Sequence, residues 1–284
     1  MKRRLWFAVL VVVVLAVLTF GRGVWCILTP HRCSKRTNEA LAAVKPERFA
    51  ANGIRHDVYV YRGPRGGPDV ILLHELPGLS RDTVRLAERL VDAGYTVHVP
   101  LIFGEYGHAT LLQALGKCGE FNCLGDGDSR FAAWLRDFMS SKGMAKRGVA
   151  VIGMCMTGSA ALEVADAPGV RAVVMSQPAM PLPISRWHRP KIGVTDEHAE
   201  SIKRAGTPIL AMRFSKDCMS PPERFETLRK RFDPKKIHLE EIPSGPCRHA
   251  HALLTGDFSP AAFGHLERFL NTNLKNAPLP QDAR

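Results

Sequence analysis

The stretch VAVIGMCMTGSAAL, Val149 to Leu162, decides how the chain is to be read. Val149–Ile152 is a continuous apolar run, as a strand covered on both faces would be. It ends at Gly153, Cys155 follows, and the small residues Gly158, Ser159 and Ala160 open a helix. A strand that turns sharply into a helix lifts the turn residue above the sheet, and its crowded backbone needs small neighbours. The helix N-terminus behind Cys155 would also favour the thiolate, the reactive form of the side chain. One departure stands out: Thr157 occupies the second glycine position of G-x-nucleophile-x-G, and Gly158 comes one step later. A β-branched residue there implies a slightly remodelled turn. Taken alone, such a cysteine is more often an inert core thiol, so its partners decide.

Outward from this stretch, strand-like and helix-like segments alternate. Asp57–Arg62 reads as a half-buried edge strand, and Val70–Leu73, Thr96–Pro100, Val170–Met175, Ile209–Phe214 and Ile237–Ile242 read as further strands. Helical spacing follows Ser80 as far as Gly94, and recurs near Ser129–Phe138, from about Met156, at Pro221–Arg231 and at Pro260–Leu270. Such β/α alternation predicts a mostly parallel, doubly wound sheet. Ligands of such sheets bind beyond the carboxyl ends of the strands, so the loops there should carry the chemistry.

Two later loops supply partners for Cys155. Asp217 lies in RFSKDCMSP, just past the strand Ile209–Phe214, and His251 lies in CRHAHALLT, past Ile237–Ile242. Nucleophile, acid, base is a chain order used for acyl transfer on α/β sheets. His251 would accept the thiol proton and return it to the leaving group, while Asp217 would hold the imidazole in the productive tautomer. Asp217 also reads as a plain turn residue before Met219-Ser220-Pro221. His249 competes with His251 as the base; it follows Arg248 and reads better as a solvated neighbour.

A fourth segment, HELPGLS from His74 to Ser80, directly follows the buried strand Val70–Leu73. With the cysteine turn, the KDCMSP loop and the late H-A-L segment, it makes the chain resemble the dienelactone hydrolase family from about Glu47 to Leu270. The resemblance implies an α/β-hydrolase fold and a Cys155, His251, Asp217 triad. It also implies that Glu75 holds the resting thiol through a hydrogen bond and helps switch it to thiolate. The backbone N–H groups of Leu76 and Met156 would form the oxyanion hole. Unaided by the resemblance, Glu75 reads as an exposed loop carboxylate and His74 as a packed strand-end histidine. The bacterial members hold a substrate carboxylate with arginines, one of them four residues after the catalytic histidine; here that position is Thr255. An anionic lactone is therefore a poor expectation, and a neutral or lipid-like ester or thioester a better one.

The net charge of +12 invites a nucleic-acid reading, but its distribution excludes one. Lys2, Arg3, Arg4, Arg22, Arg32, Lys35 and Arg36 all precede the first acidic residue, Glu39, and no nucleic-acid motif accompanies them. Between them, Leu5–Gly21 is uncharged and almost wholly apolar. Trp6 and Trp25 would stand about 28 Å apart on a helix, close to the hydrocarbon thickness of a bilayer. Residues 1–36 are therefore expected to form an N-terminal apolar helix that anchors the chain, with a cleaved signal peptide as the alternative. Residues 37–284 are expected to form one monomeric hydrolase domain, exported by an N-in topology, acting on a small ester or lactone without cofactor or metal. The rival reading is a catalytically silent hydrolase-fold binding module at the membrane. Besides Cys155, six cysteines remain; Cys118 with Cys123, and Cys218 with Cys247, are the expected disulfide pairs.

Overall fold

The computed structural model describes residues 19–21, 23–26, 29, 44–76, 78–107, 110–247 and 249–275. Its centre is an eight-stranded sheet in the order β1-β2-β4-β3-β5-β6-β7-β8. The strands are β1 Glu47–Ala51, β2 Ile54–Tyr61, β3 Asp69–Leu73, β4 Thr96–Pro100, β5 Val149–Met154, β6 Val170–Ser176, β7 Ile209–Phe214 and β8 Ile237–Ile242. The β1/β2 and β2/β4 pairs are antiparallel, and every pair from β4 onward is parallel. The expected mostly parallel sheet is present.

The apolar runs become central strands because both faces of the sheet are covered. With a side-chain period of two, Ile71, Leu73, Val151 and Val173 face one core with Trp134, Phe131 and Phe138. Val70, Leu72, Ile152 and Val174 face the other, with Leu86, Leu90, Leu266 and Phe269. The longer helices are α1 Arg81–Asp92, α2 Arg130–Ser141, α3 Gly158–Glu163, α4 Asp196–Ala205, α5 Pro222–Arg231 and α6 Pro260–Leu270. In α2 the Ser129 hydroxyl accepts from Ala132 N and caps the first turn, as its place before the apolar spacing implies.

Two elements exceed the sequence reading. β2 begins at Ile54 rather than Asp57, because β1 pairs with it through an Asn52-Gly53 turn in which both residues have positive φ (53° and 70°). Asn-Gly is the commonest signal of such a hairpin. Helix α4 was not expected either: the Thr195 hydroxyl accepts from His198 N, and Gly206 ends the helix at φ 67°.

The apolar run Leu5–Gly21 lies outside the described residues except for Thr19, Phe20 and Gly21. Among the described residues no helix is long and apolar enough to cross a membrane. Residues 19–21 and 23–26 are helical, and Cys26 is buried in the core beside the sheet.

The start of β3 is fixed electrostatically. Buried Asp69 accepts from His98 Nε2 on β4 (2.9 Å) and from Arg147 Nη2 (2.6 Å). Burial alone would raise this carboxyl, yet the bonds and positive charges of His98 and Arg147 outweigh it and leave the folded value lowered. A depressed carboxyl contributes stability that is present above its unfolded value, about 4, and is lost as the pH falls through the lower folded value. Asp69→Asn should therefore destabilise the protein at neutral pH and flatten the loss of stability in that acid range, as measured by urea unfolding at stepped pH.

Candidate active site

Cys155 stands directly after β5 and has φ 52°, a left-handed conformation rarely tolerated by a side-chain-bearing residue. The surroundings hold it there. A Cβ on Gly153 would meet the Thr157 carbonyl oxygen at 2.2 Å, so only glycine fits below the turn. A Cβ on Gly158 would meet the Pro178 side chain at 2.8 Å, so this glycine lets the loop after β6 close over the turn. Thr157 does not disrupt the bend. Its hydroxyl accepts from Met154 N (2.9 Å) and reaches the Leu73 carbonyl (3.0 Å), tying the turn to the end of β3. Residues 155–157 form a single tight helical turn, and α3 starts only at Gly158. That is the remodelling implied by the shifted glycine.

His251 and Asp217 converge on Cys155 from the loops after β8 and β7. His251 Nδ1 and Asp217 Oδ2 are 2.7 Å apart, and a ring nitrogen of the imidazole lies within 4.8 Å of the Cys155 sulfur. Burial opposes a charge on His251, but Asp217 and Cys155 overcome it and hold the imidazole proton well above its ordinary range. Asp217 is itself fixed: Oδ1 accepts from Met219 N (2.9 Å) and Ser220 N (3.3 Å), and its carbonyl accepts from Arg213 Nη2 (3.1 Å). Its turn-residue and partner readings are thus both realised, one on each carboxylate oxygen. The His251 and Ala252 amides donate to Asp257 Oδ2 (3.0 and 3.3 Å), which sets the histidine loop. His249 is exposed, with its ring near Trp25 instead.

Glu75 is buried beside the pair, so the exposed-carboxylate reading does not hold. One donor atom each from Glu75, Cys155 and His251 lies within 4.8 Å of the others. This is the cluster among the described residues whose atoms could reach a common metal ion. Gln177 Nε2 donates to Glu75 Oε2 (2.8 Å), and the Thr255 hydroxyl donates to Oε1. Burial pushes the Glu75 carboxyl up, while His251 and these two bonds pull it down. His74 is packed, as its plain reading has it: Nε2 accepts from Ile102 N (2.9 Å), and burial lowers it to about 3. Leu76 follows Glu75 past the end of β3, and Met156 follows Cys155 on the tight turn.

Three buried residues here escape a sequence reading. Gln177 and Thr255 hold Glu75; Thr255 stands where the bacterial family members are expected to carry arginine. Arg224, on α5, donates to the carbonyls of Pro178 and Met180 (2.7 Å each) and of Pro181. Burial brings its guanidinium down to about 9, against the opposing charges of Asp217, Asp126 and Cys155. It stays charged at neutral pH, stitching the loop after β6 to the helix after β7. Arg224 is one of three arginines in PERFETLRKR, and nothing local marks it as the buried one.

The cysteines pair differently from expectation. Cys118 and Cys123 form the expected small loop, but Cys218 bonds Cys26, not Cys247. Cys247 is disulfide-bonded too, and Cys155 is the free thiol among the described residues. The bond ties the helical turn ending at Cys26 to the acid loop.

The clamp on Glu75 has a measurable consequence. Thr255→Val leaves one buried carboxyl oxygen without its donor and should cost about 1–3 kcal/mol of stability. Thr255→Ser keeps the hydroxyl and should recover most of that loss in thermal or urea unfolding.

Residues 56–252 match the family model described as the dienelactone hydrolase family. No curated protein sequence matches the chain. Among solved structures, a soluble variant of monoglyceride lipase from Saccharomyces cerevisiae aligns with a TM-score of 0.58 at 11% identity, over 87% of this chain and 99% of that one. A dienelactone hydrolase-like promiscuous phosphotriesterase from metagenomic libraries gives 0.57 at 15%, over 80% and 96%. Est1E from Butyrivibrio proteoclasticus, with ferulic acid bound, gives 0.55 at 15%, over 81% and 100%. At such identities these structures speak for the α/β-hydrolase fold alone. The family match carries the assignment: this chain belongs to the dienelactone hydrolase family, and it is a hydrolase acting on ester bonds.

Proposed function

We propose that the chain is a membrane-tethered hydrolase that cleaves a carboxylic ester, lactone or thioester through a Cys155 acyl-enzyme. The observation that carries this reading is the convergence of Cys155, His251 and Asp217 from three loops at one end of the sheet, with His251 bonded to Asp217 and within 4.8 Å of the Cys155 sulfur. The Cys155 sulfur attacks the substrate carbonyl carbon, a C–S bond forms, and the oxyanion is received by the N–H groups of Leu76 and Met156. The bond to the leaving group breaks as His251 passes it a proton. Water then attacks the thioester, His251 takes the water's proton, and cleavage of the C–S bond returns the thiol and releases the acid. Glu75, held by Gln177 and Thr255, faces the sulfur as a fixed carboxyl.

Membrane tethering rests on the uncharged run Leu5–Gly21 and its Trp6 and Trp25 flanks. Export of residues 37–284, as one catalytic domain, is supported by the disulfides, which persist in oxidising compartments.

The purified chain should hydrolyse p-nitrophenyl acyl esters, and Cys155→Ala should abolish this while leaving the fold intact by circular dichroism. Activity that survives the substitution removes the mechanism, and inactivity of the wild type on all esters and thioesters returns the binding-module reading. Asp217→Asn should lower kcat/KM by about 10²–10⁴-fold. Because Asp217 keeps the imidazole protonated to higher pH, the same substitution should move the alkaline limb of the pH–rate profile towards lower pH.

A further inference from the structure

The large apolar side chains that stay exposed are not scattered. Among the described residues they are Phe20, Val24, Trp25, Leu112, Leu124 and Trp187. The first three lie on the helical turn before Cys26, and the others lie in the segments that follow β4 and β6. All therefore stand on the helical turn or on chain leaving the carboxyl end of a strand, the end where Cys155, Asp217 and His251 meet. Single exposed apolar residues are ordinary, but their confinement to one end is not.

The contacts join most of them into one strip. A Cβ on Gly23 would sit 2.5 Å from the Ile184 carbonyl oxygen, so the helical turn rests backbone to backbone on the loop after β6. In that loop Leu182 N donates to the Cys123 carbonyl (2.7 Å), next to Leu124. Three residues beyond Ile184 is Trp187, 56% exposed, with the Arg186 guanidinium 4.5 Å above its ring. Trp25, 60% exposed, lies beside His249 on the histidine loop, and Cys26 is bonded to Cys218, the neighbour of Asp217.

We propose that this strip rests on the lipid bilayer, so that the mouth of the active site opens against the membrane and takes its ester from the lipid phase. The inference rests on the tether proposed above and adds an orientation to it. Its occupant follows from where the apolar run ends. Gly21 closes that run five residues before Cys26, about 8 Å along a helix. A rigid weld at Cys26 leaves no linker through which the domain could swing away from the surface. Tryptophan and arginine at the strip suit the headgroup region, where an apolar body and a polar or charged tip are both accommodated. The substrate class is then an acyl ester that partitions into lipid.

The test uses the full chain reconstituted in phosphatidylcholine–phosphatidylglycerol vesicles, with or without acyl-chain bromination, which quenches nearby tryptophan. Comparing wild type with Trp187→Phe isolates the contribution of Trp187, which the tether alone does not place near lipid. Quenching that is smaller in Trp187→Phe than in wild type, by the share due to Trp187, supports the orientation. In the same vesicles, Leu124→Asp and Trp187→Asp should raise KM for p-nitrophenyl dodecanoate about tenfold, leaving kcat and hydrolysis of water-soluble p-nitrophenyl acetate unchanged. A chain resistant to carbonate extraction whose Trp187 is unquenched overturns the orientation while the tether stands. Extraction of the wild type by carbonate removes the tether and this inference together. A detergent-solubilised dimer that loses its association in Trp187→Asp assigns the strip to a second copy of the chain and also overturns the inference.

Discussion

The rest of the site is built around one bent residue. Cys155 sits at φ 52°, a conformation that costs about 1–3 kcal/mol for a residue with a side chain and persists only when its surroundings over-determine it. Those surroundings come from three strands. β5 delivers the residue, β3 receives the Thr157 hydroxyl at the Leu73 carbonyl, and the loop after β6 presses Pro178 against Gly158. Each contact needs a small or hydrogen-bonding partner at one position, and the sheet supplies them in register, with Leu73 opposite Gly153 and Met154 opposite Ser176. The bend is a tertiary product even though its residues are contiguous.

From that bend outward, buried polar side chains are linked one to the next. Arg213 and two backbone amides fix Asp217, Asp217 fixes His251, and His251 lies within 4.8 Å of the Cys155 sulfur. On the opposite side Gln177 and Thr255 fix Glu75. Buried charges are tolerated only when their partners are in place, so the network restricts each loop to one conformation. Arg224 extends the same logic by collecting three carbonyls of the loop after β6 onto the helix that follows the acid loop. The disulfide from Cys26 to Cys218 then locks the outer rim of that loop to the N-terminal helical turn. Orientation of the active site and the path of the N-terminus thereby become one structural question.

What the sequence by itself determined was whatever depends on neighbours along the chain. Apolar runs of five or six residues had to become covered strands. The spacing from Val84 to Val91 and from Pro260 to Leu270 had to become helices, and Gly153 to Ala160 had to become a sharp turn carrying Cys155. The same locality placed Asp217 and His251 on loops at the carboxyl end of their strands, since β/α alternation fixes which end each loop leaves from. The Asn52-Gly53 hairpin and the capped helix after Thr195 rest on signals just as local, although neither was among the expected elements. Only the tertiary structure decided partners that lie far apart in the chain. Nothing near Thr255 says that its hydroxyl meets Glu75, and nothing near Arg224 says that its charge is buried. Cys218 was expected to pair with Cys247, which is nearer in the chain, yet it is bonded to Cys26 across a separation of 192 residues. Pairing energy depends on distance in space, which patterns along the chain record only when the two coincide.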